Sequence, residues 1–128
     1  MTIRTVVVER MSVVSAKPFG AVVAAFEAAI GHPDVVEFGK TIQTAKTFAD
    51  FQSAIGRGLG KNGLMVFLKL DHGSVLRKQT DLEKPKIARF IVGNPLIMKD
   101  MVRHVPDAGS YAPVTILVDE RPEGVSLT

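Results

Sequence analysis

Ile87-Ala88-Arg89-Phe90-Ile91-Val92-Gly93-Asn94-Pro95-Leu96-Ile97-Met98 joins two patterns end to end. The run from Ile87 to Val92 is apolar apart from Arg89 and reads as a strand. After it Ile97, Met98, Met101, Val102 and Val105 recur at three- and four-residue steps, the apolar face of a helix that Pro106 stops. Between them Asn94 is a capping residue, Pro95 suits the first helical position, and Gly93 lets the strand turn sharply.

Working outward, Val114 to Val118 predicts a strand, Arg121-Pro122-Glu123-Gly124 a turn, and Val125 to Leu127 a returning strand. On the other side, Leu64 to Leu70 is an apolar run that reads as a central strand ended by Asp71-His72-Gly73. Before it, Thr47 caps a helix with Asp50 three residues on. Phe48, Phe51, Ile55 and Leu59 form its stripe, and glycines 56, 58, 60 and 63 loosen its end. Residues 35–46 show no clear period, and a short strand over 41–44 is the reading there. Residues 3–16 predict a long strand with one exposed face. Pro18 then opens a helix whose face is Phe19, Val22, Val23, Phe26 and Ile30, ended by Gly31 and Pro33. The order strand, helix, helix, strand, strand, helix, strand, strand gives an α+β fold: a two-layer sandwich with a mainly antiparallel sheet and helices packed on one face. At 128 residues this is one domain, 1–128.

Composition narrows the function classes. With 46% hydrophobic and 23% charged residues the chain has the apolar material for a packed core. The absence of cysteine removes disulfides, thiolate metal sites and thiol nucleophiles, and suits a cytoplasmic location. Sixteen basic against thirteen acidic residues give +3, which is no footprint for nucleic acid. Residues 77–89 alone carry a local +3, from Arg77, Lys78, Lys84, Lys86 and Arg89 against Asp81 and Glu83. The longest apolar stretch, Ala21 to Ile30, is broken by Glu27 and is about half a bilayer span, so no membrane segment is expected. The start is too short in apolar residues for a signal-peptide core.

Two patterns resolve into local structure. Gly58-Leu59-Gly60-Lys61-Asn62-Gly63 has the letters of a dinucleotide fingerprint, but it follows a helix and enters a strand, the reverse of what phosphate binding needs. Ser15-Ala16-Lys17-Pro18-Phe19 recurs as Thr44-Ala45-Lys46-Thr47-Phe48, which reads as two helices sharing one start grammar rather than a duplicated unit. His32, His72 and His104 form no short-spaced pair, and no metal site is assigned. His32 reads as a loop residue, and His104 as an ion-pair and helix-end residue beside Asp100. His72, with Asp71 at a strand end, is the histidine that local structure explains least. Met65, Met98 and Met101 read as core filler.

The C-terminal part, from about Gly63 to Val125, resembles the prokaryotic family known as domain of unknown function 302. The resemblance is carried by Gly63-Leu64-Met65-Val66-Phe67 leading to Leu70-Asp71, Phe90-Ile91-Val92-Gly93-Asn94-Pro95, Val105-Pro106-Asp107-Ala108-Gly109, Ala112-Pro113-Val114 and Gly124-Val125. It extends more loosely over the preceding helices. It implies a two-layer α+β fold assembled as a homodimer, with no settled activity, and leaves any cofactor unknown. Relatives of this longer kind continue past the last strand into another helix, so an exposed apolar groove is expected where such a helix would lie.

The function expected from these residues is a small cytoplasmic homodimeric binding module. It would hold a small anionic ligand at the Asn94 helix start, with Gly93, Arg89 and His72 around it. Three other readings stay open. One is an enzyme with His72–Asp71 or His104–Asp100 as general base. Another is a haem or metal protein using His72 or His104 with Met98 or Met101. The last is a structural or partner-docking domain.

Overall fold

The computed structural model describes all residues, 1–128. Its frame is a five-stranded antiparallel sheet. The strands are β1 (Val13–Ser15), β2 (Met65–Asp71), β3 (Ile87–Gly93), β4 (Val114–Arg121) and β5 (Gly124–Leu127), in spatial order β1-β5-β4-β3-β2. The helices are α1 (Phe19–Ala29), α2 (Val35–Thr44), α3 (Phe48–Gly58), α4 (His72–Thr80) and α5 (Pro95–His104), with a 3₁₀ segment at Pro106–Tyr111. The fold is the α+β sandwich that the sequence predicts.

Alternation along β3 organises the layers. Ala88, Phe90 and Val92 are buried on the inner face, while Ile87, Arg89 and Ile91 point outward. Across the ladder Phe90 faces Ile116, and Ala88 faces Val118. Val22 and Val23 of α1 close the same core, and Phe26 tilts onto Phe90 with ring centroids 4.8 Å apart. Lys69 of β2 lies over that ring, 5.4 Å from its centroid, and pairs with Glu27 of α1 at 2.5 Å.

Four sequence expectations change. The strand expected over residues 3–16 is only Val13–Ser15. It pairs with β5 alone, and residues 1–12 have no strand beside them and no backbone hydrogen bond. Instead they cross the outer sheet face, where Val8 to Met11 lie near Arg89, Thr115 and Leu117, and Arg4 reaches Asp107 at 3.3 Å. Residues 35–44 are helix α2. Asp34 accepts hydrogen bonds from the Val36 and Glu37 amides, each at 3.0 Å, and so fixes a turn that the β-branched composition obscures. The strand read as central, β2, lies at the edge: it pairs with β3, and its other side has a single bridge from Gly31 to Met65. Residues 72–80, read only as a strand end and a basic stretch, form α4, capped by Asp71 accepting from the Ser74 amide at 2.8 Å.

The glycine-rich connection is explained by backbone packing. A Cβ on Gly60 would sit 2.3 Å from the Gly31 nitrogen, so the two backbones are in direct contact, and both amides donate to the Leu64 carbonyl at 2.9 Å. The connection therefore joins α3 to β2 with the Leu59, Gly60, Asn62 and Gly63 amides committed to protein. The similarity between residues 15–19 and 44–48 likewise lacks a strand in the second copy, because Thr44 ends a helix.

Candidate functional site: a pocket at the Asn94 helix start

Where β2 begins, β3 ends and β4 begins, the strands open onto a pocket of about 350 Å³. A bulge builds one wall. The β2–β3 register shifts between Val66 and Leu68, leaving Phe67 as the extra residue, and its ring lies against Gly93. Met98 and Met101 of α5 form a second wall, and Tyr111 and Pro113 a third. Nine of the thirteen lining residues are hydrophobic and none is charged.

Asn94 ties this corner together. Its Oδ1 accepts from the Leu96 amide at 2.9 Å, and its Nδ2 donates to the Gly63 carbonyl at 2.9 Å. Pro95 has no N–H, so of the first-turn amides at most that of Ile97 is left for a ligand. Gly93 serves a different purpose from the turn expected of it. Its φ is not positive, but a Cβ there would meet Pro113 Cβ at 3.1 Å and Phe67 Cε2 at 3.2 Å. The glycine keeps the pocket floor open.

The expected group of four does not converge. Gly93 and Asn94 line the pocket together. Arg89 lies four residues back along β3 on the outer face, where its Nη2 donates to Thr115 Oγ1 at 3.1 Å and its Nε is buried without a partner. His72 opens α4 at the far end of β2. Met65 faces Gly93 and Asp71 faces Ala88, which places about 20 Å of strand between His72 and the pocket. Lys86 stands near Lys69, Arg77 and Asp71, around a separate pocket of about 200 Å³. Lys99 lies over the Phe48 ring, 4.9 Å from its centroid, and pairs with Asp100 at 2.8 Å.

Neither histidine–aspartate pair forms. Asp71 accepts from the Ser74 amide and, at 3.0 Å, from Arg77. The Ser74 bond foremost, with Arg77 adding to it, holds its carboxyl below the usual aspartate value. Asp100 pairs with Lys99, which foremost lowers its pKa, while Arg103 and His104 add only their charge and no bond. Met98 and Met101 are partly exposed wall residues instead of core filler, whereas Met65 is fully buried. No histidine joins the two methionines in the pocket, and no three His, Asp or Glu side chains cluster as metal ligands would. Sequence reading missed Phe67, Tyr111 and Pro113. A bulge leaves no periodic signal, and the other two belong to an irregular segment.

The fold and this corner define an α+β module whose strand ends open onto a small apolar pocket. The chain belongs to the family described as domain of unknown function DUF302, whose model matches residues 38–128. The match takes in the whole pocket and every strand except β1, and begins well before the motifs that first suggested it. No curated protein matches the chain.

Proposed function

We propose that this protein is a cytoplasmic, self-associating binding module whose ligand is a small, mainly apolar molecule held in the Asn94 pocket. The observation that carries this reading is the uncharged lining of a cavity large enough for two or three linked rings or a branched chain. Met98 and Met101 supply polarisable, adaptable surface suited to an aromatic ring, and the Ile97 amide could bind one acceptor atom. The anionic ligand expected from the sequence gives way to a neutral one. A charge entering here would lose its hydration to walls without a cation. Self-association is supported by surface area: the chain exposes 9126 Å², against about 6,600 Å² for a compact monomer of its mass.

Fluorescence titration with the neutral dye N-phenyl-1-naphthylamine tests the pocket. Wild-type protein is expected to bind it, and Gly93→Val to weaken binding at least about tenfold, because the added methyl groups fall where Phe67 and Pro113 already stand. Equal affinity in both proteins, or no binding to wild type, would overturn the reading. Native mass spectrometry of gently purified protein then identifies any retained molecule.

A further inference from the structure

Residues 2–12 form no secondary structure, although Thr2, Ile3, Thr5, Val6, Val7 and Val8 make six β-branched residues in seven. Their side chains contribute almost nothing to the core: Ile3, Val7 and Met11 are 85%, 91% and 84% exposed. None of their backbone amides or carbonyls is paired within the chain. What holds the segment is a largely exposed Arg4–Asp107 pair, one Ser12–Thr128 hydroxyl contact at 2.8 Å and the passage of Val8 to Met11 near Arg89, Thr115 and Leu117, of which the ion pair is worth little. The segment leads directly into β1, whose outer side is an unpaired sheet edge. Between Arg4 and Glu9 that strand-forming run has no charge, proline or bulge of the kind that normally blunts an edge.

We infer that residues 2–12 are an arm that becomes an intermolecular β-strand, pairing with a second copy of this chain and continuing β1 across the dimer interface. This rests on the self-association proposed above and names its surface. A two-fold axis perpendicular to the sheet brings two β1 edges together antiparallel, so each copy supplies what the other lacks. The area suffices: the 9126 Å² exposed exceeds the compact-monomer value by about 2,500 Å², more than the roughly 800 Å² that a standard interface takes from each partner. Residues 1–37 lie outside the family match, so the arm is a feature of this chain's own extension.

The test is light scattering with size-exclusion chromatography on the full chain, joined to amide hydrogen exchange over residues 2–12. Val7→Pro removes one amide from the arm and costs the monomer nothing, since Val7 is solvent-exposed and unbonded. Wild type is expected at twice 13.8 kDa with arm amides protected. Val7→Pro should weaken the dimer at least about tenfold and expose those amides, while Val7→Thr, which keeps the branched shape, should behave as wild type. A dimer that tolerates Val7→Pro and Val6→Pro alike, whose amides point to opposite sides of a strand, overturns the arm and leaves self-association standing. A monomeric wild type at about 100 μM, far above the Kd of a standard interface, overturns both.

Discussion

Both ends of the Asn94 carboxamide are used, one to cap α5 and one to hold the Gly63 carbonyl. Asn94→Ala should therefore cost about 2 kcal/mol, more than a simple cap, and Asn94→Ser about half of that, because serine can still cap. Urea midpoints of the three proteins check this. Asp71 is a second residue with a measurable signature. Its carboxyl titrates below the ordinary value in the folded chain, so on acidification the unfolded chain takes up its proton first. Its contribution is present above the ordinary aspartate pKa of about 3.9 and is lost as pH falls through the lower folded value. Asp71→Asn should flatten the fall of stability with acid below about pH 4, as read by urea unfolding over that range.

Among the elements, α3 states its start most fully. Thr47 accepts from the Asp50 amide, and Asp50 returns an acceptor to the Thr47 amide, both at 3.1 Å. Thr47→Ala should destabilise the protein by about 1 kcal/mol, visible as a lowered urea midpoint with unchanged slope. That helix was legible because its signal is local. Helix α2 was not, since Val35, Val36, Thr41, Ile42 and Thr44 favour strands. Its Asp34 cap and the contact of the Phe38 ring with Gly58 of α3 override that preference. Strand β2 looked central for a related reason. Its apolar side chains are divided among the core, the pocket and the outer face, and a one-dimensional run cannot show that division.

For the molecule as a whole, stability is concentrated on one sheet face. Phe90 is fully buried, in contact with Phe26 and Lys69, and lies at the middle of β3, the strand flanked by both β2 and β4. Phe90→Ala should cost about 3–5 kcal/mol, a large part of the roughly 5–15 kcal/mol available to a domain, and should appear as a steep drop in the urea midpoint. The outer face holds no comparable side chain. Val8 to Met11 cross it near Arg89, Thr115 and Leu117, while association is proposed at the β1 edge of the sheet and ligand binding at the ends of β2, β3 and β4.

The sequence by itself determined the α+β class, three of the five α-helices, the β3–α5 turn through Gly93-Asn94-Pro95, and the family. Each of these is written in short-range spacing, capping chemistry or motif order. Only the tertiary structure decided that Arg89 and His72 lie away from Asn94, that Phe67 is turned into the pocket by a bulge, and that residues 1–12 lack a partner strand. Those outcomes depend on strand order and on which edge meets which neighbour. They are long-range relations, and the local preferences of the residues concerned do not encode them.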